Sequence, residues 1–190
     1  MGIAYKMSLE VVCGPMFSGK SSYIYSIVKR YASIGVNVLV IKPSSDTRYS
    51  QKPEVVTHDG VKFDCISTPH NLMTLSFDVK NTNVVILEEA QFFVDLLPFV
   101  RWLVDTERKN VIVVGLDGDS ERRPFGDVMA CVPLADKVTK LHALCPECAD
   151  GTPALFTFRK VHQGGQVLVG GSDMYVSYCR EHYLDAITSE

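Results

Sequence analysis

Short apolar runs alternate along the chain with stretches in which apolar residues recur every three or four positions. Leu9-Glu10-Val11-Val12-Cys13, Val36–Ile41, Val84–Leu87 and Val111–Leu116 are runs rich in valine, isoleucine and leucine. Near-continuous apolarity over so short a length marks strands buried on both faces, as in a parallel sheet. Ser22–Ile34 carries Ile24, Ile27, Val28 and Tyr31 at helical spacing, and Phe92–Glu107 reads as an amphipathic helix with Trp102 and Leu103 inward. Val61–Ile66 predicts a short strand and Pro69–Phe77 a short helix. Four strands alternating with helices predict an α/β core. Near Leu141 the pattern changes to short strands, Leu155–Arg159 and Val167–Val169, about a Gly164-Gly165 turn. The expected division is an α/β unit over 1–141 and a small β-rich unit over 142–190.

The segment between the first strand and the first helix is Gly14-Pro15-Met16-Phe17-Ser18-Gly19-Lys20-Ser21. It reads G-x-x-x-x-G-K-S, a P-loop. Its glycines let backbone N–H groups turn inward around phosphates, and its lysine reaches the β- and γ-phosphates. Its serine hydroxyl can ligate Mg²⁺. With a strand before it and a helix after it, this pattern predicts nucleoside triphosphate binding.

Further candidates follow strand ends, where ligands of parallel sheets sit. Asp46-Thr47-Arg48-Tyr49 lies in a long polar loop, Ser44–Asp59; Arg48 there either meets phosphate or pairs with Asp46. Val84–Leu87 ends in Glu88 and Glu89. Glu88 fits the strand-tip acid that holds Mg²⁺, and Glu89 fits a general base facing the acceptor. Both acids could equally cap the helix that follows. Asp117 is a rival for the Mg²⁺ acid, although the glycines beside it point to a turn leading away. Asp119–Asp127, with Arg122 and Arg123, reads as a lid over phosphates or as an ordinary solvated loop.

Composition narrows the picture. A net charge of −3 gives no electrostatic footprint for nucleic acid. Met1–Ser8 lacks the apolar core of a signal peptide, and no run is long enough to span a bilayer. Of six cysteines, two stand in Cys145-x-x-Cys148 and one in Cys179-x-x-His182. Two such chelating pairs predict a four-ligand structural zinc site in a reducing cytoplasm. Cys13, Cys65 and Cys131 sit in apolar contexts as small core residues.

Taken together, these stretches resemble the type II (cytosolic) thymidine kinases. GPMFSGKS, DTRY, THD, EEAQFF, LDG…RPFG, CPEC, GGSDMY and CREH occur in family order from the P-loop to the last zinc ligand. The resemblance implies a RecA-like domain and a zinc-bound lasso closing over a nucleoside. It implies ATP-dependent phosphorylation of the 5′-hydroxyl of thymidine or deoxyuridine, cytoplasmic nucleotide salvage for DNA synthesis, a homotetramer and inhibition by dTTP. Lys20, Arg48 and Glu89 are then catalytic. Gly14, Pro15, Met16, Phe17, Ser18, Gly19, Lys20, Ser21, Ser22, Asp46 and Gln91 contact ATP, with Ser21 and Glu88 toward magnesium. Met16, Phe92, Leu116, Ser120 and Phe125 wall the base pocket, and Thr157, Val167, Leu168, Val169, Gly170 and Tyr175 form the lasso.

Two positions depart from the family pattern. Glu88 stands where the family commonly has Asp, and Ser120 where it commonly has an aromatic residue. Serine cannot stack on a base, so one pocket wall is expected to be looser. Rival readings are another P-loop nucleoside or nucleotide kinase with a zinc-bearing lid, a GTP switch, or a nucleic-acid zinc ribbon. No Asn-Lys-x-Asp guanine signature is present.

Overall fold

A computed structural model describes residues 7–45, 54–56, 62–76, 78–161, 165–168 and 170–189. Asp46, Arg48, Val169, Gly164 and the THD segment at 57–59 lie outside the described residues. In chain order the elements are β1 (Ser8–Cys13), α1 (Lys20–Ala32), β2 (Val38–Pro43), β3 (Glu54–Val56), β4 (Lys62–Asp64), β5 (Ile66–Thr68), β6 (Val84–Leu87), α2 (Leu96–Arg101), β7 (Asn110–Gly115), β8 (Lys137–Lys140), β9 (Ala143–Leu144), β10 (Pro153–Ala154), β11 (Phe156–Arg159), β12 (Tyr175–Tyr178) and α3 (Arg180–Thr188).

A six-stranded sheet in the order β5-β2-β6-β7-β1-β8 forms the centre. Every pairing in it is parallel, as the apolar runs require. Successive strand residues face opposite sides, so the runs supply two cores at once. Val11, Val85, Leu87, Val111 and Val113 pack with Leu96, Phe99, Val100 and Leu103 of α2 and its continuation. Val12, Val84, Ile86, Ile112 and Val114 pack with Ile24 and Ile27 of α1 on the other face. No described helix is long and apolar enough to cross a membrane.

Some expected elements are corrected. Val61–Ile66 is not one strand: β4 pairs with β3 in a separate hairpin, while β5 joins the main sheet beside β2. In place of a helix at Pro69–Phe77 there is one 3₁₀ turn, Leu72–Leu75. The helix expected from Phe92 begins only at Leu96, because the chain turns at Glu89 and Phe93 is extended; its last turn widens to a π-helical one at Trp102–Thr106. β8 escaped notice because Lys137-Val138-Thr139-Lys140 is an exposed edge strand with no apolar run.

Val167–Val169 was expected to pair as a strand. β11 instead pairs antiparallel with β12, and residues 165–168 follow an irregular path. The apolar side chains of Val167 and Leu168 face a cavity rather than a sheet, which accounts for their character.

Candidate functional site

The P-loop joins β1 to α1 through Phe17 at φ 63° and Gly19 at φ 79°, both in the left-handed region. Glycine adopts that region freely, whereas phenylalanine there is strained and needs its surroundings to hold it. Those surroundings come from the far end of the chain. Phe17 packs against Ala143, Cys145, Ala154 and Cys179. The Met16 amide donates to Thr157 Oγ1 at 3.0 Å, and Ser177 Oγ donates to the Met16 carbonyl at 2.7 Å. Thr157 and Ser177 are both buried, on the paired strands β11 and β12. A Cβ on Gly14 would stand 2.5 Å from the Leu141 carbonyl oxygen, so glycine is needed where the backbone just after β8 presses on the loop.

Lys20 folds over the loop, its Nζ donating to the Pro15 carbonyl at 2.6 Å and the Gly14 carbonyl at 3.2 Å. Ser18 Oγ closes the turn onto Pro15 at 2.8 Å. The first turn of α1 contains no acid, so its positive end is left for an anion. Ser21 Oγ donates to Glu88 Oε1 at 2.8 Å. Glu88 is buried, and its amide donates to the Ile41 carbonyl within β2. A hydroxyl and a carboxylate in contact form a hard-oxygen donor pair suited to Mg²⁺. Asp117 instead pairs with Lys140 at 2.8 Å.

One residue beyond Glu88 the chain enters a cavity of about 50 Å³ that opens to solvent. Glu89 sits in the left-handed region at φ 48° and lines that cavity. Gln91, buried, donates to Glu89 Oε2 at 2.5 Å and accepts from the Leu116 amide at 3.1 Å, tying Glu89 to the end of β7. Phe92 and Phe125 meet edge to face, with ring centroids 5.4 Å apart. Met16, Leu116, Ser120, Thr157, Val167, Leu168, Gly170 and Tyr175 complete much of the wall. Tyr175 Oη donates to the Leu168 carbonyl at 2.6 Å and fixes the irregular strap over the opening. The structure thus gathers the expected base-pocket residues that it describes, and adds Gln91, expected among ATP contacts, to the same cavity.

Sequence reasoning missed other wall residues. Ser45 Oγ is buried in the cavity lining without a hydrogen-bond partner among the described residues. Asp119 accepts from the Glu121 and Arg123 amides, from Arg123 Nε and from Gln166 Nε2. Burial opposes its charge, but the bonds from Arg123 and Gln166 prevail and hold the carboxyl below its ordinary value. Both arginines of this segment have other contacts in this structure. Arg122 lies over the Tyr183 ring at 4.6 Å, and Arg123 pairs with Asp119 and Glu121.

The four chelating residues converge, their ligand atoms all within 4.8 Å of one another. Around a tetrahedral zinc, sulfurs stand about 3.8 Å apart and a sulfur–nitrogen edge spans about 3.5 Å. Cys148 and Cys179 Sγ are 3.8 Å apart, and His182 Nδ1 lies 3.6, 3.4 and 3.2 Å from the Sγ of Cys145, Cys148 and Cys179. Burial opposes ionisation of Cys145, but amides of Cys179, Cys148 and Glu147 aimed at its sulfur bring its pKa down to about 6. A thiolate so stabilised is a ready zinc ligand.

Comparison with known proteins accords with this geometry. A family model described as thymidine kinase matches residues 7–183. Thymidine kinase a of Arabidopsis thaliana is 45% identical over 182 residues, which cover 93% of this chain and 75% of that protein. The Bacteroides thetaiotaomicron thymidine kinase is 38% identical over 179 residues, covering 94% and 87%. That of Vaccinia virus (strain Western Reserve) is 34% identical over 178 residues, covering 94% and 97%.

Proposed function

This chain belongs to the thymidine kinase family, and from that premise we propose that it transfers the γ-phosphoryl group of ATP to the 5′-hydroxyl of thymidine. The observation that carries this reading is the placement of two consecutive acids. Glu88 is bonded to the P-loop serine, and Glu89 lines the neighbouring cavity. One peptide unit therefore joins a phosphate-side carboxylate to an acceptor-side one.

In the proposed reaction the P-loop amides and Lys20 cradle the polyphosphate, and Lys20 offsets charge that builds on the transferred group. Ser21 and Glu88 would hold Mg²⁺, which supplies further charge neutralisation at the phosphates. Glu89, oriented by Gln91, accepts the proton of the 5′-hydroxyl as its oxygen bonds to the γ-phosphorus. The bond to the β,γ-bridging oxygen breaks, and ADP leaves. Arg48 is assigned to the transferred phosphate and Asp46 to the ATP side, by the family resemblance. The base lies between Phe92, Leu116 and Phe125, under Tyr175 and the strap that includes Val167–Gly170. The division into a nucleotide unit (1–141) and a zinc-bearing lasso unit (142–190), with zinc on Cys145, Cys148, Cys179 and His182, belongs to the same proposal. So do deoxyuridine as a second acceptor, dTTP as inhibitor, a cytoplasmic homotetramer and a place in nucleotide salvage.

The test is phosphate transfer from labelled ATP to thymidine, with thymidylate as the expected product. Lys20→Ala is expected to lower kcat about 10²–10³-fold, the worth of one preorganised charge at the transition state. Thymidine affinity measured without ATP should change less than threefold. Transfer to a nucleoside monophosphate in preference to thymidine would overturn the reading.

A further inference from the structure

Residues 118–125 supply Gly118, Asp119, Ser120 and Phe125 to the nucleoside cavity, and the last helix of the chain grips this loop from behind. We propose that Tyr183 of α3, with Arg122 laid on its ring, is a positioning residue for the nucleoside. It sets the place of that wall and, through Asp119, of the strap. The inference rests on the kinase reading above and concerns what holds the pocket in shape.

The loop closes on itself. The Asp119 amide donates to the Arg123 carbonyl at 2.9 Å, and the Arg122 amide to the Asp119 carbonyl at 3.0 Å. The Asp119 carboxylate accepts from the Glu121 and Arg123 amides, both at 2.9 Å. A segment so bonded moves as one body, so a grip at two points places all of it. Tyr183, which is buried, makes the first grip: its hydroxyl donates to the Ser120 carbonyl at 2.8 Å. Arg122 makes the second. It lies in the left-handed region at φ 61°, a conformation that an arginine keeps only where its surroundings fix it. Its guanidinium stands 4.6 Å over the Tyr183 ring and 5.6 Å over that of Phe156, an attractive placement for a planar cation. Tyr183 is held in turn by the rings of Phe156 and Phe158, with centroids 5.4 and 6.2 Å away. It directly follows His182, so the clamp is rooted beside the chelating cluster.

On the side of the opening, Gln166 Nε2 donates to Asp119 Oδ2 at 2.9 Å and to the Pro124 carbonyl at 3.3 Å. Gln166 belongs to the strap whose Val167 and Leu168 also line the cavity. A shift of the loop therefore moves two walls at once. The P-loop is gripped separately, through the bonds of Thr157 and Ser177 to Met16. Loss of the clamp should thus weaken nucleoside binding and spare ATP and the phosphoryl step.

Tyr183→Phe keeps the ring and removes the hydroxyl alone. It is expected to raise the thymidine Kd and KM about three- to tenfold, the worth of one hydrogen bond, with kcat and the ATP KM within about twofold. Arg122→Gly should raise them as far, although glycine takes that backbone conformation freely. Phe158→Leu loosens the same ring cluster at a residue whose ring contacts are Tyr178 and Tyr183. It should lower Tm and leave the thymidine KM in place, as a merely structural lesion does. Amide hydrogen exchange without nucleoside should quicken at 119–123 and 165–168 in Tyr183→Phe and not in Phe158→Leu. An unchanged thymidine KM in Tyr183→Phe, a loss confined to kcat, or the same KM rise in Phe158→Leu overturns the proposal. If the unaltered protein phosphorylates no thymidine, the kinase reading falls instead. The exchange measurement then decides the clamp by itself, and unchanged rates in Tyr183→Phe refute it.

Discussion

Glu89→Gln is expected to lower the turnover of nucleoside phosphorylation about 10²–10⁴-fold, the usual contribution of a general base. The substituted amide has nearly the same shape and still offers an oxygen to Gln91, so the strained turn keeps its support. What is lost is the ability to take a proton. Nucleoside and ATP dissociation constants should therefore stay within about threefold of the starting values, because a change confined to kcat removes an interaction made in the transition state. Steady-state kinetics and titration on the same preparation separate the two. Turnover within a few-fold of the unaltered enzyme would take Glu89 out of the role. A matched collapse of binding would mean that the turn itself had failed.

Removing the metal should have the next largest effect, and it should reach beyond the lasso. Freshly prepared protein is expected to hold one zinc per chain, because the four ligand atoms already lie within 4.8 Å of one another. Structural zinc in small fingers contributes roughly 10–16 kcal/mol of apparent binding energy, so chelation or Cys179→Ser should unfold the unit it organises. Cys145 and Cys179 form the floor against which Phe17 packs, and β11 and β12 grip Met16. ATP affinity should thus fall together with thymidine affinity. The six-stranded sheet, with its own cores, should keep its far-ultraviolet signal. Metal analysis, the two titrations and a circular dichroism spectrum check each part. A zinc-free protein that binds ATP normally would refute the dependence.

The contrast between what could and could not be read from the sequence follows from distance along the chain. The P-loop and the two chelating pairs were legible because their chemistry lies in residues a few positions apart, whose spacing alone fixes the geometry. The central strands were legible because burial on both faces leaves few polar positions. β8 was not, since an edge strand needs only one neighbour and tolerates lysines. Val167 and Leu168 misled because a ligand cavity and a sheet make the same demand for apolar side chains. The Asp119–Gln166 contact joins residues 47 apart, and no local pattern announces such a pairing. Ser120 was recognised as a departure from the family pattern, and it lines the cavity.

The two hydrogen bonds on Met16 span 141 and 161 residues. They impose an order of events on a chain made from its N-terminus. β1, α1 and the inner strands can assemble as soon as β7 has emerged, because each pairs with neighbours already present. The loop that β1 and α1 enclose stays unfinished until β11 and β12 have formed their hairpin and closed on it. Closing so long a loop is entropically slow and comes late. The sheet is therefore expected to be the early product of folding and nucleotide affinity the last, so a nascent chain that stops short of Ser177 should be folded in its centre yet hold triphosphates weakly.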